Sequence, residues 1–177
     1  MKKALLVIDM LNDFVDEKGA LYMGETAGEI RKNVAARVEQ WRRSVEPLFY
    51  IMDRHIPGDA EFNMFPPHCL AGEQGGEIVP EIAPREGDYL VPKRRFSAFF
   101  ATDLDLSLRE LKVEELELVG VCTQICILYT AADARMRGYT VSVREDCVGS
   151  FDQEAHHFTL KELENTLGVE VIRRENK

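Results

Sequence analysis

Two cysteines stand four positions apart in "GVCTQICILYTAADA", residues 120–134. Such a thiol can be a metal ligand, half of a redox pair, a nucleophile or a small buried hydrophobe, the last being the commonest fate of a free cysteine. A structural zinc site would need a second pair, and the chain has none. The spacing is not the C-x-x-C of a redox motif either. A cysteine nucleophile needs a base and charge support. Asp9 is the candidate base and Lys93 the candidate cation; taken alone, they also read as a strand-end cap and a solvated loop charge. Cys126 is expected in the first turn of a helix, where free N–H groups and the helix dipole would lower its pKa.

A second group lies in "MDRHIPGDAEFNMFPPHC", residues 52–69. Asp53 and His55 alternate on an extended segment, so they share a face, and His68 follows after a loop. One carboxylate and two imidazoles suit a divalent metal such as zinc, iron or manganese, with water in the open positions. The plain alternative is a loop with two surface histidines.

The fold must bring these groups together. Short apolar runs predict strands at 4–10, 46–53, 88–93, 115–121, 139–146 and 169–173, several without alternation, as for strands buried on both faces. Helices are predicted at 27–44, 105–112, 123–138 and 152–168, the last with Asp152 as N-cap. Alternating strands and helices imply an α/β fold: three layers around a central, mostly parallel six-stranded sheet. Ligands bind such sheets beyond the carboxyl ends of the strands, where Asp9, Asp53, Lys93, Cys122 and Cys126 all fall. Residues 54–88 read as irregular, with five prolines, and a long irregular stretch in a compact domain is usually functional. Asp146 closes the fifth strand and reads as a cap beneath the site. Cys69 reads as packing. His156 and His157 are adjacent on a helix, so at most one can face the core.

The 177 residues suit one domain, 1–177, and no internal repeat or linker divides them. A net charge of −9 argues against a nucleic-acid binder and is compatible with a small organic substrate. "MKKALLVIDML" begins like a signal peptide, but Asp9 breaks its apolar run and no cleavage pattern follows. No run approaches the roughly 18 residues of a membrane span. A cytoplasmic chain with reduced thiols is therefore expected.

Three ordered blocks, "LLVIDMLNDF", "VPKRRFSAFFATDLDLSLREL" and "GVCTQICILYTAADARMRGY…VREDC", resemble the isochorismatase-like cysteine hydrolases, a superfamily that includes nicotinamidases. The resemblance runs through nearly the whole chain. It implies a catalytic triad of Asp9, Lys93 and Cys126. It also implies an oxyanion hole from the backbone N–H groups of Cys122 and Cys126, with a cis Val121–Cys122 peptide. "D-x-H…FPPHC" is similar to the nicotinamidase metal loop, so the resemblance implies a bound divalent ion on Asp53, His55 and His68. In that family His or Glu can supply a further ligand, and here Glu61 takes the place. Phe14 and Phe65 match positions that sandwich the substrate ring, although Phe65 stands where tryptophan is common. Arg94 stands where a glycine often follows the lysine; with Arg95 it reads as a surface charge.

The implied activity is hydrolysis of a small carboxamide, first of all nicotinamide to nicotinate and ammonia, through a thioester and within NAD salvage. The alternatives are another substrate on the same scaffold (a vinyl ether such as isochorismate, a ureide or another amide) or a non-catalytic binding protein. The implied partners are a small amide substrate and further copies of the chain in a homo-oligomer, with neither nucleic acid nor membrane.

Overall fold

The computed structural model describes residues 1–173. Six strands, β1 (Lys2–Ile8), β2 (Leu48–Asp53), β3 (Tyr89–Lys93), β4 (Val113–Val121), β5 (Thr140–Gly149) and β6 (Glu170–Ile172), form one sheet in the order β3-β2-β1-β4-β5-β6. Every pairing is parallel, so the expected mostly parallel sheet is wholly so. The helices are α1 (Asn12–Val15), α2 (Ala27–Trp41), α3 (Leu104–Glu110), α4 (Leu128–Met136) and α5 (Gln153–Asn165).

The apolar run of β1 explains the layering. Leu6 and Ile8 join a core with Leu104 and Leu108 of α3, Ala131 of α4 and Leu160 of α5. Leu5 and Val7 point the other way, into a second core with Val34, Val38 and Trp41 of α2. A strand with apolar side chains on both faces is stable only between two helical layers. The strand order reverses between β1 and β4, which makes that junction the expected place for a ligand. The two backbones press together there: a Cβ on Gly120, whose φ is +116°, would lie 2.0 Å from the Ile8 carbonyl oxygen.

Several expected boundaries move. The first strand stops at Ile8 rather than at residue 10, because Asp9 takes a φ of +53° and turns the chain out of the sheet. The fifth strand runs on to Gly149, so Asp146 lies within it rather than at its end; its side chain faces Arg144 at 3.7 Å. The helix expected at 123–138 is α-helical only from Leu128. Residues Thr123–Ile127 form a π turn in which the Ile127 N–H reaches back to the Cys122 carbonyl at 3.2 Å. The second helix ends at Trp41, short of residue 44. Asp152 caps α5 as expected, accepting from the Ala155 N–H at 2.9 Å. The irregular stretch keeps its character but contains three single 3₁₀ turns.

Candidate active site

Asp9, Lys93 and Cys126 meet beyond the carboxyl ends of β1, β3 and β4. The Asp9 carboxylate is oriented by the neighbouring strand: the Asp53 N–H donates to its Oδ1 at 2.8 Å. Lys93 ends β3 opposite Asp53 and its side chain is sealed from solvent, so it is not a solvated loop charge. Its ammonium lies 2.9 Å from Asp9 Oδ2, donates to Cys126 Sγ at 3.5 Å and pairs with Asp53 Oδ1. The loop after β3 is tied to α4, since the Ala98 N–H donates to Thr130 Oγ1 at 3.0 Å and the Ser97 hydroxyl to Asp133 Oδ2. Those bonds hold Lys93 against the turn that carries Cys126.

Burial and the charge of Asp53 raise the Asp9 carboxyl to about 6, against the pull of Lys93. Burial would raise Asp53 too, but Lys93 and the two imidazoles outweigh it and hold its carboxyl far below the usual range. Lys93 stays charged, because its carboxylate partners outweigh its burial. The Cys126 thiol is pushed well up, by burial first and then by Asp9, with Lys93 opposing. This corrects the expectation of a lowered thiol pKa: burial and the facing Asp9 outweigh Lys93. At rest the nucleophile candidate is a neutral thiol beside a base.

The second group assembles as well. Asp53, His55, Glu61 and His68 are all buried, and one ligand atom from each lies within 4.8 Å of the others. Both Nδ1 atoms have oxygen partners, Asp59 Oδ2 at 3.2 Å for His55 and the Pro66 carbonyl at 2.8 Å for His68. Both Nε2 atoms therefore face the carboxylates, at 3.7 and 3.6 Å from Asp53 Oδ2 and 3.8 and 4.0 Å from Glu61 Oε1. These gaps are too long for hydrogen bonds, and buried His55 Nε2 and Glu61 Oε2 have no hydrogen-bond partner. Two imidazoles and two carboxylates converging at this spacing fit a divalent cation.

A cavity of about 480 Å³ opens onto both groups. Phe14 and Phe65 line it as expected, both edge-on to His68, with centroids 5.6 and 6.3 Å away. Tyr22, Phe96, Ile125 and Phe151 also line it, although nothing in their spacing marked them. Cys122 lines it and follows a cis peptide bond from Val121. Among the described residues that line the cavity, none is an arginine or a lysine.

Other residues fall outside the cavity. Arg94 and Arg95 are not free surface charges: both pair with Asp59, a buried carboxylate that sequence reasoning missed. Its signal was its place four residues after His55, but its arginine partners lie about 35 positions further on. Cys69 packs in the core, its N–H donating to Asp13 Oδ2 at 2.7 Å. His156 is the core-facing histidine and meets Thr123 Oγ1 at 2.8 Å, bracing the start of the π turn, whereas His157 is exposed.

Comparison with known proteins was made on this geometry. The isochorismatase domain family matches residues 3–176. The nicotinamidase PncA from Bacillus subtilis is 36% identical, superposes with a TM-score of 0.92 and covers 97% of this chain and 99% of its own. An N-carbamoylsarcosine amidase from Thermoplasma acidophilum is 34% identical with a TM-score of 0.89, over 100% of this chain and 99% of its own. A pyrazinamidase from Pyrococcus horikoshii, solved in complex with zinc, is 27% identical with a TM-score of 0.90, over 98% of this chain and 100% of its own.

Proposed function

Starting from a chain that belongs to the isochorismatase family, we propose an amidohydrolase that cleaves a small, neutral, planar carboxamide, with nicotinamide and pyrazinamide as the first candidates. The chain is a hydrolase of non-peptide carbon–nitrogen bonds on the pattern of its relatives. The observation that carries the substrate reading is the buried Lys93, touching both Asp9 and Cys126, two residues that line an aromatic cavity with no arginine or lysine among its described lining residues. An uncharged ring amide suits such a cavity. A carboxylate-bearing substrate would find no arginine or lysine there to pair with.

In this reading Asp9 takes the proton of the Cys126 thiol as Sγ attacks the carboxamide carbon. The backbone N–H groups of Cys122 and Cys126 receive the developing oxyanion. Lys93 keeps Asp9 ionised beforehand and balances the charge during attack. When the carbon–nitrogen bond breaks, Asp9 returns the proton and ammonia leaves. Asp9 then takes a proton from water as its oxygen attacks the thioester, and passes that proton to the departing sulfur. The carboxylic acid and the free thiol result, and the acid gives its proton to the released ammonia or to solvent. Phe14 and Phe65 hold the ring and exclude water. Asp53, His55, Glu61 and His68 would hold a divalent cation, zinc being the first candidate given the Pyrococcus relative. Bound there, that ion would supply Lewis acidity. Nicotinate from this reaction would enter NAD salvage.

The test is a parallel assay of nicotinamide, pyrazinamide, N-carbamoylsarcosine and isochorismate. Ammonia from the first two, absent in Cys126→Ala, is the expected result. Turnover of only the two carboxylate-bearing substrates would overturn the substrate reading, and no turnover of any would overturn the amidohydrolase.

A further inference from the structure

His55 has no access to solvent, so each ring nitrogen must be satisfied from within. Nδ1 has one oxygen in reach, Asp59 Oδ2 at 3.2 Å. Asp59 is itself only 3% exposed, and all of its acceptor capacity is taken. Oδ1 receives the Glu61 N–H at 3.1 Å and Arg95 Nη1 at 3.0 Å; Oδ2 receives Arg94 Nε at 2.7 Å in addition to the imidazole. The two arginines come from the segment directly after Lys93 and are half to a third exposed, at 48% and 38% of their side chains. They reach inward from the surface to a carboxylate that no solvent reaches.

From this arrangement we infer that Asp59, clamped by Arg94 and Arg95, is a positioning residue for the four-residue metal set. It keeps the proton on His55 Nδ1 and so presents the Nε2 lone pair to Asp53 and Glu61. Through the Glu61 N–H it also fixes the 3₁₀ turn (Ala60–Asn63) on which Glu61 rides. One carboxylate thus aims two of the four ligands. The arginine pair fixes that carboxylate. The inference rests on the metal reading above but concerns no group of the proposed triad. Partners that orient a ligand imidazole typically carry a 10–100-fold effect on metal affinity.

The experiment measures Zn²⁺ affinity of the metal-free protein by competition with a chromophoric chelator. Asp59→Asn is expected to weaken Zn²⁺ binding about 10–100-fold. It should also remove one exchange-protected downfield imidazole N–H resonance, leaving that of His68, which rests on Pro66. An Arg94→Gln variant, which leaves the Arg95–Glu61 contact at 3.9 Å in place, should weaken binding in the same direction and keep the fold if Asp59→Asn does not. Unchanged affinity in either folded variant overturns the inference. Failure of the unaltered protein to bind Zn²⁺ overturns the metal reading instead, and the Asp59 inference with it.

Discussion

Asp53 sets one carboxylate oxygen on the Lys93 ammonium and turns the other toward the imidazoles of His55 and His68, at 3.7 and 3.6 Å. The proposed triad and the proposed metal set therefore share a residue. Asp53→Asn should weaken Zn²⁺ binding at least about tenfold and lower amide turnover in the same variant. Full turnover in the absence of bound metal would show that the two groups work independently.

Cys126→Ala should remove detectable ammonia release while leaving Zn²⁺ content as in the unaltered protein. Cys122→Ala keeps the backbone N–H and should cost less than about tenfold in kcat/KM. An equal loss in both would mean that the wrong cysteine was assigned.

The Asp9 carboxyl, raised to about 6, must be ionised to accept the thiol proton. Turnover should therefore fall as pH drops through about 6, one proton being taken up per inactivated site. The Cys126 thiol, raised by burial and by Asp9, stays protonated at neutral pH. Alkylation by iodoacetamide should be slow without substrate, and its rate should still climb above pH 9. A fast reaction at pH 7 would overturn the neutral-thiol resting state.

Lys93 is fully buried between two carboxylates. Lys93→Met would leave them facing each other unpaired, a change that typically destabilises by about 3–5 kcal/mol. Urea denaturation should register the loss at pH 7. It should shrink as pH falls, because protonating Asp9 removes one of the repelling charges, and without the pull of Lys93 that protonation begins above the value of about 6 found in the unaltered protein. A pH-independent loss would place the effect in packing instead.

The sheet was legible because Ala4–Ile8 and its counterparts are apolar on both faces, and because Asp9, Asp53 and Lys93 sit where those runs stop. Parallel topology then put them on one rim without further information. What stayed hidden is what depends on side-chain reach across loops. Asp59 sits in a proline-bounded turn with no periodicity, and its meaning comes from Arg94 and Arg95 folding back over it. Tyr22, Phe96 and Phe151 line the cavity from three separate loops, so no spacing relates them. The π turn was read as ordinary helix because its side-chain pattern differs from an α turn by only one residue. The thiol's charge state was misjudged for a related reason: it is set by burial and by Asp9, which is remote in sequence.

That extra residue in the π turn has a genetic consequence. Deleting one codon, for instance that of Gln124, would let Thr123–Ile127 close as a plain α turn while α4 still packed on the sheet. Residues inside that turn, Cys126 among them, would then shift relative to the Cys122 N–H while α4 kept its register. A single in-frame deletion is thus expected to spare the sheet and disturb the candidate nucleophile.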